Sequence, residues 1–305
     1  MKIEEQAKQL KYIKNNLETT LHLTEVLQSL YEDNYLKEAI LLKGGAAIQL
    51  YLQNFSRLFF DLDIDFTLDI TEKANFKQYL IQYLQEIGYK EISLKKSRSF
   101  YSLDSLQFPY YLENGNLNYL KLDINYSYGN HLYLPTKLAV TNQDFNLKQT
   151  ISLVNLEELI SLKMAALQDR GNVKDLFDIY QILTSSLTLD IDKVKSAYLF
   201  YMTIAEYIHK IKKTEKITEI TNHDMKKTLY PALPKQNNPN LELMKQEVLS
   251  FVKECSILNS NNQQFIKNFK KGYLTPEYLF TDKQIIENAL NNPIAKWKIK
   301  LMTRR

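Results

Sequence analysis

Cysteine, histidine and long apolar runs are scarce in this chain of 305 residues, and each scarcity narrows what the protein can be. The single cysteine, Cys255, excludes an internal disulfide, and the four scattered histidines give no zinc-type cluster. No apolar run approaches the roughly 18 residues of a membrane span, and the first residues lack the apolar stretch of a secretory signal. We therefore expect a cytoplasmic protein without a membrane segment, in which any metal is a hard, oxygen-ligated ion such as Mg²⁺.

Hydrophobic periodicity divides the chain into a strand-rich first half and a helical second half. Hydrophobic residues make up 45% of the sequence, which is enough for two buried cores. Helical spacing predicts one long helix over residues 6–32 and shorter helices at 45–52 and 76–87. Strand-like patterns follow at residues 39–43, 61–68, 90–96, 106–112, 118–126, 132–140 and 147–153.

The second half begins at a recognisable helix start. After Val154 the spacing of apolar residues becomes helical, with Asn155 as the cap and glutamates in the first turn. Turn-rich stretches at residues 231–240 and 259–264 are expected to join helices of this half. The formal charge of +4 is compatible with a polyanionic partner, but so small an excess predicts little by itself.

In the run RLFFDLDIDF, Asp61, Asp63 and Asp65 alternate with the apolar residues Leu62, Ile64 and Phe66. Period two places these carboxylates on one face of a strand, with Cα atoms two apart separated by roughly 6.5 to 7 Å. Bare carboxylates this close repel each other, which favours a pair of divalent cations held by Asp61 and Asp63. The alternative is an edge strand with a solvated acidic face.

A glycine pair precedes the aspartates by one helix. The strand that ends at Lys43 passes through Gly44 and Gly45 into a helix, so the first backbone amides are unencumbered and can meet a phosphate. A glycine pair after a strand can also be just a tight turn. Together, a phosphate-binding turn and paired carboxylates indicate metal-dependent nucleotide transfer, in which carboxylates bridge two ions.

A second strand supplies another carboxylate. In NYLKLDINYS, residues 118–127, Lys121, Asp123 and Asn125 share one face and apolar residues share the other. Asp123 is the natural third ligand, because nucleotide transfer needs a carboxylate near the attacking group to bind metal or accept a proton. The alternative is an ordinary amphipathic strand.

The helical segment at residues 157–181 carries one embedded cation and two aspartates. Lys163 lies among apolar residues and could reach a nucleotide phosphate as a compact charge. Asp175 and Asp178, three apart, share a helix face. Alternatively, Lys163 pairs with Asp178 or Asp175 to tie two helices together, and the two interpretations are compatible.

Taken in order, these motifs resemble the AbiEii/AbiGii family of nucleotidyltransferase toxins. The segments that carry the resemblance are LKGGAAIQLY, RLFFDLDIDF, LKLDINYS, ELISLKMAALQDRGNVKDLFDIY, FIKNFKKGYLTPEYLF and NNPIAKWK. The resemblance implies an α+β fold: a polymerase β-like nucleotidyltransferase domain with a mixed sheet, followed by a C-terminal α-helical domain. On this basis we expect domains at residues 1–153, including the N-terminal helix, and 154–305.

The same resemblance implies an enzyme with Mg²⁺ as cofactor and an NTP as substrate. The expected metal ligands are Asp61, Asp63 and Asp123, the expected nucleotide-binding residues are Lys43, Gly44, Gly45, Arg57 and Lys163, and Lys163 and Asp178 complete the catalytic set. The expected acceptor is the acceptor end of tRNA or another RNA. A separately encoded antitoxin is the expected protein partner, and the expected setting is abortive defence against phage.

One departure from the family leaves other functions open. Where relatives usually have Ser or Thr two residues after the arginine, this chain has Phe59, which cannot donate a hydrogen bond to a phosphate. A catalytically silent nucleotide- or partner-binding module is therefore one alternative. Another is a transferase acting on a small molecule such as an antibiotic, which would need an enclosed pocket beside the carboxylates.

Overall fold

The structure is a computed structural model that describes residues 3–89, 102–127, 130–206 and 208–302. Its contacts define two compact units, both discontinuous in sequence. Unit 1 comprises Met1–Gly129, Thr136–Leu153 and Tyr230–Asn238, and unit 2 comprises Asn130–Pro135, Val154–Leu229 and Pro239–Arg305. Among the described residues, no helix is long and apolar enough to cross a membrane.

In its described residues, unit 1 is built around a six-stranded sheet. Its strands are β1 (Ile40–Lys43), β2 (Leu62–Phe66), β3 (Leu103–Tyr111), β4 (Leu117–Asn125), β5 (Thr136–Asn142) and β6 (Leu147–Leu153), and its helices are α1 (Ile3–Leu10), α2 (Lys14–Glu32), α3 (Leu36–Ala39), α4 (Gly44–Leu52) and α5 (Lys73–Glu86). The strand order is β3-β4-β2-β1-β6-β5. The pairs β2/β4 and β1/β6 are parallel and the other pairs are antiparallel. The sheet is therefore mixed, and the predicted α+β fold class is confirmed.

Period-two alternation decides which face of the sheet is buried. Leu122 and Ile124 of β4 and Ile64 of β2 are almost completely buried. α2 packs against β4 and β6, and Phe76 of α5 contacts Phe66 of β2 with ring centroids 4.7 Å apart. Each such side chain contributes roughly 1.5–3 kcal/mol when buried. The apolar face fixes the strand register, and the polar residues between these positions must point to the other face.

The long helix predicted over residues 6–32 is wrong, because the chain breaks between α1 and α2. Lys11 has a φ of 62°, and the Tyr12 amide donates to the Ala7 carbonyl at 3.0 Å. This is the six-to-one hydrogen bond of a left-handed helix C-terminus, where glycine is the usual residue. With lysine at that position the sequence contains no stop signal. Tyr12 is held in place because its hydroxyl donates to the Phe55 carbonyl at 2.9 Å.

Two further predicted elements need correction, and one lies outside the described residues. The strand predicted at 132–140 begins only at Thr136, because the amides of Leu132 and Tyr133 donate to the Glu158 carboxylate at 3.1 and 3.0 Å. The predicted turn at 259–264 is a helix start, because Asn259 and Asn262 form reciprocal side-chain caps. The strand predicted at 90–96 lies outside the residues that the structure describes.

Unit 2 is helical. Its helices are α6 (Leu156–Arg170), α7 (Val173–Leu183), α8 (Ile191–Ile204), α9 (Glu215–Thr218), α10 (Asn222–Asp224), α11 (Leu241–Cys255), α12 (Ser260–Lys270), α13 (Lys283–Asn291) and α14 (Pro293–Met302). Asn155 caps α6 as predicted, accepting from the amides of Glu157 and Glu158 at 3.1 and 3.3 Å. Gly171 ends α6 with a φ of 62°, and a Cβ there would lie 2.8 Å from the Lys216 carbonyl oxygen. The Asn155 cap fixes where α6 begins, and the positive φ of Gly171 ends α6 and lets the chain turn into α7.

Candidate active site

Gly44 and Asp63 are in contact where β1 passes into α4. The register of β1 and β2 makes Lys43 the partner of Asp63, so the end of β1 lies beside the start of β2. Gly44 has a φ of +70°, and a Cβ there would lie 1.9 Å from Asp63 Oδ2 and 2.7 Å from Asp63 Cβ. No residue with a side chain fits this space without displacing Asp63. The N-terminus of α4 therefore lies against the Asp63 carboxylate, where the helix dipole favours negative charge.

The second glycine of the pair makes room for Arg57. This arginine is buried, its Nη1 donates to the Leu58 carbonyl at 2.8 Å, and its backbone amide donates to Gln49 Oε1 at 3.1 Å. A Cβ on Gly45 would lie 2.4 Å from Arg57 Nη2. The guanidinium thus lies under the first turn of α4. Its role in nucleotide binding stays a prediction.

Asp61, Asp63 and Asp123 lie on one side of the sheet. β2 and β4 are parallel neighbours whose register pairs Asp63 with Asp123, and adjacent strands lie about 4.8 Å apart. Asp61 directly precedes β2. Lys121 Nζ lies 2.6 Å from Asp123 Oδ2 and 3.6 Å from Asp61 Oδ2, so one ammonium contacts two of the carboxylates.

The Lys121 ammonium also feels the charge of Asp63. Burial lowers the pKa of Lys121, but the hydrogen bond to Asp123 and the charges of Asp123, Asp61 and Asp63 outweigh it and raise the pKa above the usual lysine value. All three carboxylates therefore act on one point in space. Such a concentration of negative charge attracts a cation.

The carboxylates fit a hard divalent cation by their chemistry. Asp123 Oδ1 is buried and has no hydrogen-bond partner among the residues that the structure describes, while its Oδ2 accepts from Lys121 at 2.6 Å. A buried oxygen of this kind is a ready ligand, and carboxylate oxygens are what Mg²⁺ prefers. In residues 3–89, 102–127, 130–206 and 208–302, no three acidic, histidine or cysteine side chains lie close enough to hold an ion as they stand. Asp61, Asp63 and Asp123 would be the residues to do so after side-chain rotation.

The third aspartate of β2 belongs to a different interaction. Asp65 is completely buried, and its Oδ1 lies 2.5 Å from Lys43 Nζ on the neighbouring strand. Alternation alone grouped Asp65 with Asp61 and Asp63. The structure pairs its charge with Lys43, which leaves the other two at the exposed end of the strand. Nucleotide binding by Lys43 stays a prediction.

Unit 2 contains a second ionic cluster, between α6 and α7. Lys163 Nζ lies 2.7 Å from Asp175 Oδ1 and 3.0 Å from Asp178 Oδ2. Arg170 donates to Asp175 Oδ2 through Nε at 2.9 Å and Nη2 at 2.7 Å. Both aspartates are buried. The tie between two helices, considered above as the alternative role of Lys163, is thus present, and the catalytic role of Lys163 and Asp178 stays a prediction.

Phe59, the departure from the family pattern, is a core residue. It is almost completely buried, with its ring centroid 6.0 Å from that of Phe55. Thr20 donates to the Phe59 carbonyl at 2.9 Å, which fixes the backbone just before Asp61. The side chain that replaces the usual hydroxyl therefore contributes packing under the aspartate strand.

Two contacts escaped the sequence analysis. The sequence places Lys121 on the face of Asp123, but the position of Asp61 depends on the parallel pairing of β2 with β4, which alternation does not specify. The same holds for Arg170, whose double contact with Asp175 depends on the sharp turn at Gly171. An i, i+2 lysine–aspartate pair in a strand is the one local signal for the first contact.

The fold of the chain is similar to that of solved structures. The structure matches MenT4, a nucleotidyltransferase toxin from Mycobacterium tuberculosis H37Rv, with a TM-score of 0.63 and 14% identity, over 95% of this chain and 97% of that one. It also matches JHP933 from Helicobacter pylori, with a TM-score of 0.47 and 17% identity, over 80% of this chain and 93% of that one. At such low identity the match to MenT4 shows a shared fold.

The sequence itself gives the family. Residues 25–264 match the family described as nucleotidyl transferase AbiEii toxin of type IV toxin–antitoxin systems. The chain belongs to this family and is a nucleotidyltransferase, as its sequence motifs predicted. Membership implies an NTP substrate and a cognate antitoxin. A comparison with curated proteins gives no match.

Proposed function

We propose that the protein is a cytoplasmic, Mg²⁺-dependent toxin that transfers a nucleotide from an NTP to the acceptor end of tRNA in defence against phage. The observation that carries the proposal is the convergence of Asp61, Asp63 and Asp123 on Lys121, beside a helix N-terminus that only glycine allows. We further propose that residues 1–153 form the nucleotidyltransferase domain and residues 154–305 the helical domain.

Each candidate residue has a distinct role in this proposal. Asp61 and Asp63 would hold divalent ions, which would neutralise the triphosphate and make the attacking hydroxyl more acidic. Asp123 orients that hydroxyl through its buried Oδ1. The hydroxyl attacks the α-phosphorus of the NTP and passes its proton to Asp123. A phosphodiester bond forms, the bond from the α-phosphorus to the oxygen that bridges it to the β-phosphate breaks, and pyrophosphate leaves.

We assign binding of the triphosphate to the basic and glycine-rich segments. Lys43, Gly44 and Gly45 bind it at the start of α4, where backbone amides and the helix dipole favour an anion. Lys163 adds a positive charge, and Asp178 orients its ammonium at 3.0 Å. Arg57 supports the turn from below.

The side of the sheet that bears the carboxylates supports an RNA acceptor. The register of β3 and β4 places Tyr119 on the same face as Lys121 and Asp123, and the last pair on that face is Tyr111 with Leu117. Tyr119 is 39% exposed and Tyr111 is 69% exposed. Exposed aromatic rings are platforms on which single-stranded bases stack. Tyr119 lies roughly 13 Å along the strand from Asp123, a distance that a short single-stranded 3′ end spans.

The reaction is tested by incubating the protein with labelled NTPs, Mg²⁺ and total RNA. We expect label to enter tRNA, and we expect Asp63→Asn to reduce incorporation more than about a hundredfold, because loss of a metal ligand exceeds the effect of its supporting groups. Asp144→Asn, an exposed aspartate between β5 and β6, is the matched control and should retain full activity.

Three other outcomes would redirect the proposal. NTP binding without any incorporation would identify a catalytically silent module. Label in small molecules but not in RNA would identify a small-molecule transferase. If the Asp63→Asn variant still incorporates label, the carboxylates do not take part in the reaction.

The acceptor is tested separately by fluorescence anisotropy with a single-stranded oligonucleotide that ends in CCA. Tyr119→Ala should weaken binding by about tenfold, since stacking on one aromatic ring is worth roughly 1–3 kcal/mol per base. Tyr119→Phe should bind as the wild type does. Tyr273→Ala, which removes a tyrosine that is 65% exposed in unit 2, is the control. Equal binding by Tyr119→Ala and the control would exclude this face as the acceptor surface.

A further inference from the structure

Lys121 is the basic residue that contacts the carboxylates of both Asp61 and Asp123. Its Nζ lies 2.6 Å from Asp123 Oδ2 and 3.6 Å from Asp61 Oδ2, and the charge of Asp63 also acts on it. Lys121 is therefore a counter-ion that Asp61 and Asp123 share.

Two observations show that Lys121 leaves room for a further cation at these carboxylates. Within the described part of the chain, Asp123 Oδ1 is buried without a hydrogen-bond partner, although Oδ2 of the same carboxylate accepts from Lys121. The Lys121 side chain is 36% exposed, so its flexible stem has a path into solvent. A cation with more charge and more coordination positions can therefore take oxygens that the ammonium now holds.

We propose that Lys121 is a positioning residue that holds the carboxylates of Asp61 and Asp123 together before a metal ion binds and withdraws from them when the ion arrives. This inference rests on the proposed function, because it assigns the ion to those carboxylates. The ammonium lowers the repulsion that would otherwise spread the carboxylates, and it competes with the ion for the same oxygens. A metal-free site is thus kept compact at a cost in metal affinity.

The test is Lys121→Met, which keeps the length of the side chain and removes its charge. Titration calorimetry with Mg²⁺, and with Mn²⁺ as a second probe, should show metal binding roughly tenfold tighter than in the wild type, because a repelling charge is gone. The metal-free variant should melt about 2–4 °C lower, the shift expected for roughly 1 kcal/mol in a protein of this size. Addition of metal should reverse this loss.

Two control variants separate charge from packing and from general stability. Lys121→Arg keeps the charge and should bind metal within about twofold of the wild type. Lys77→Met removes a different ion pair of unit 1, in which Lys77 Nζ lies 3.3 Å from Asp104 Oδ2. It should lower the melting temperature without changing metal affinity.

The possible failures are distinguishable. If Lys121→Met binds metal no more tightly than the wild type, or if Lys121→Arg behaves as Lys121→Met does, the inference is overturned while the proposed function stands. If neither the wild type nor Lys121→Met binds metal, and Asp63→Asn changes nothing, the metal site of the proposed function fails as well.

Discussion

The two ionic clusters of this protein differ in the ratio of acidic to basic side chains. In unit 1, the charges of Asp61, Asp63 and Asp123 all act on the ammonium of Lys121. In unit 2, Lys163 and Arg170 contact Asp175 and Asp178. Counted over these interactions between described residues, acidic side chains outnumber basic ones in the first cluster and equal them in the second.

Burial explains why the two clusters can differ. Asp175 and Asp178 are almost completely buried, so each charge must be compensated or the fold would not tolerate it. The Asp61 side chain is 41% exposed, and water screens part of the repulsion in its cluster. A balanced buried cluster stabilises a helix pair, whereas an unbalanced cluster at the edge of solvent is suited to a cation that binds from outside. The comparison predicts that removing a negative charge has opposite effects on stability in the two clusters.

The largest expected effect is that of Asp175→Asn. This change removes one of the two carboxylates that contact Lys163, which is also the carboxylate that Arg170 contacts through two nitrogens. Breaking a buried pair by removing one partner costs about 3–5 kcal/mol. Urea denaturation should show a loss of this size. A loss below about 1 kcal/mol would place the cluster among ordinary surface ion pairs and remove the contrast.

The second largest effect is expected for Gly44→Ala, which should lower the free energy of unfolding by about 1–3 kcal/mol. Its Cβ would collide with Asp63, and alanine resists a φ of +70°. Gly115→Ala is the matched control, because Gly115 has a φ of +81° but nothing within 4 Å of its Cβ position. The difference between the two variants in thermal denaturation isolates the collision. Equal losses of stability would mean that Gly44 is required only for its positive φ and not for the space beside Asp63.

Asp61→Asn should have a small effect of the opposite sign. Removing one of three like charges relieves repulsion and should stabilise the metal-free protein by up to about 1 kcal/mol, since the group is partly exposed. Asp144 is exposed and far from the cluster in sequence, so Asp144→Asn should change the stability of the metal-free protein by close to zero. Paired melting curves without metal test this, and a clear loss of stability in Asp61→Asn would show that its cluster is balanced after all.

The smallest expected effect is on the rate at which Cys255 is alkylated, which reports whether a substitution destabilises unit 2. Cys255 is the one cysteine of the sequence, it is completely buried in α11, and burial raises the pKa of its thiol to about 12. Alkylation at pH 8 therefore requires opening of unit 2, because the thiolate is the reactive form. α11 packs on α7, so Asp175→Asn should accelerate labelling. Asp61→Asn should leave the labelling rate unchanged, and acceleration in both variants would argue against separate units.

Local patterns were sufficient where the physical cause is local. Alternation predicted the strands that became β2, β4 and β6, and the cap at Asn155 predicted the start of α6. Alternation failed where backbone groups found other partners. The Glu158 carboxylate takes the amides of Leu132 and Tyr133, and the side chain of Asn259 takes an amide in a stretch that looked like a turn.

The candidate residues were predictable, but their partners were not. Asp61, Asp63 and Asp123 stand out in the sequence because like charges share strand faces. Nothing local separates Asp65 from the other two, and yet its contact with Lys43 removes it from the cluster. That assignment needs the antiparallel register of β1 and β2.

The sequence by itself determined the family, the α+β class and the residues that carry charge, because periodicity and motif order are written along the chain. Only the tertiary structure decided which charges compensate each other, since parallel pairing of β2 with β4 and the turn between α6 and α7 join residues that are far apart in sequence. Electrostatic energy depends on distance and burial in space, and neither quantity can be read from sequence order.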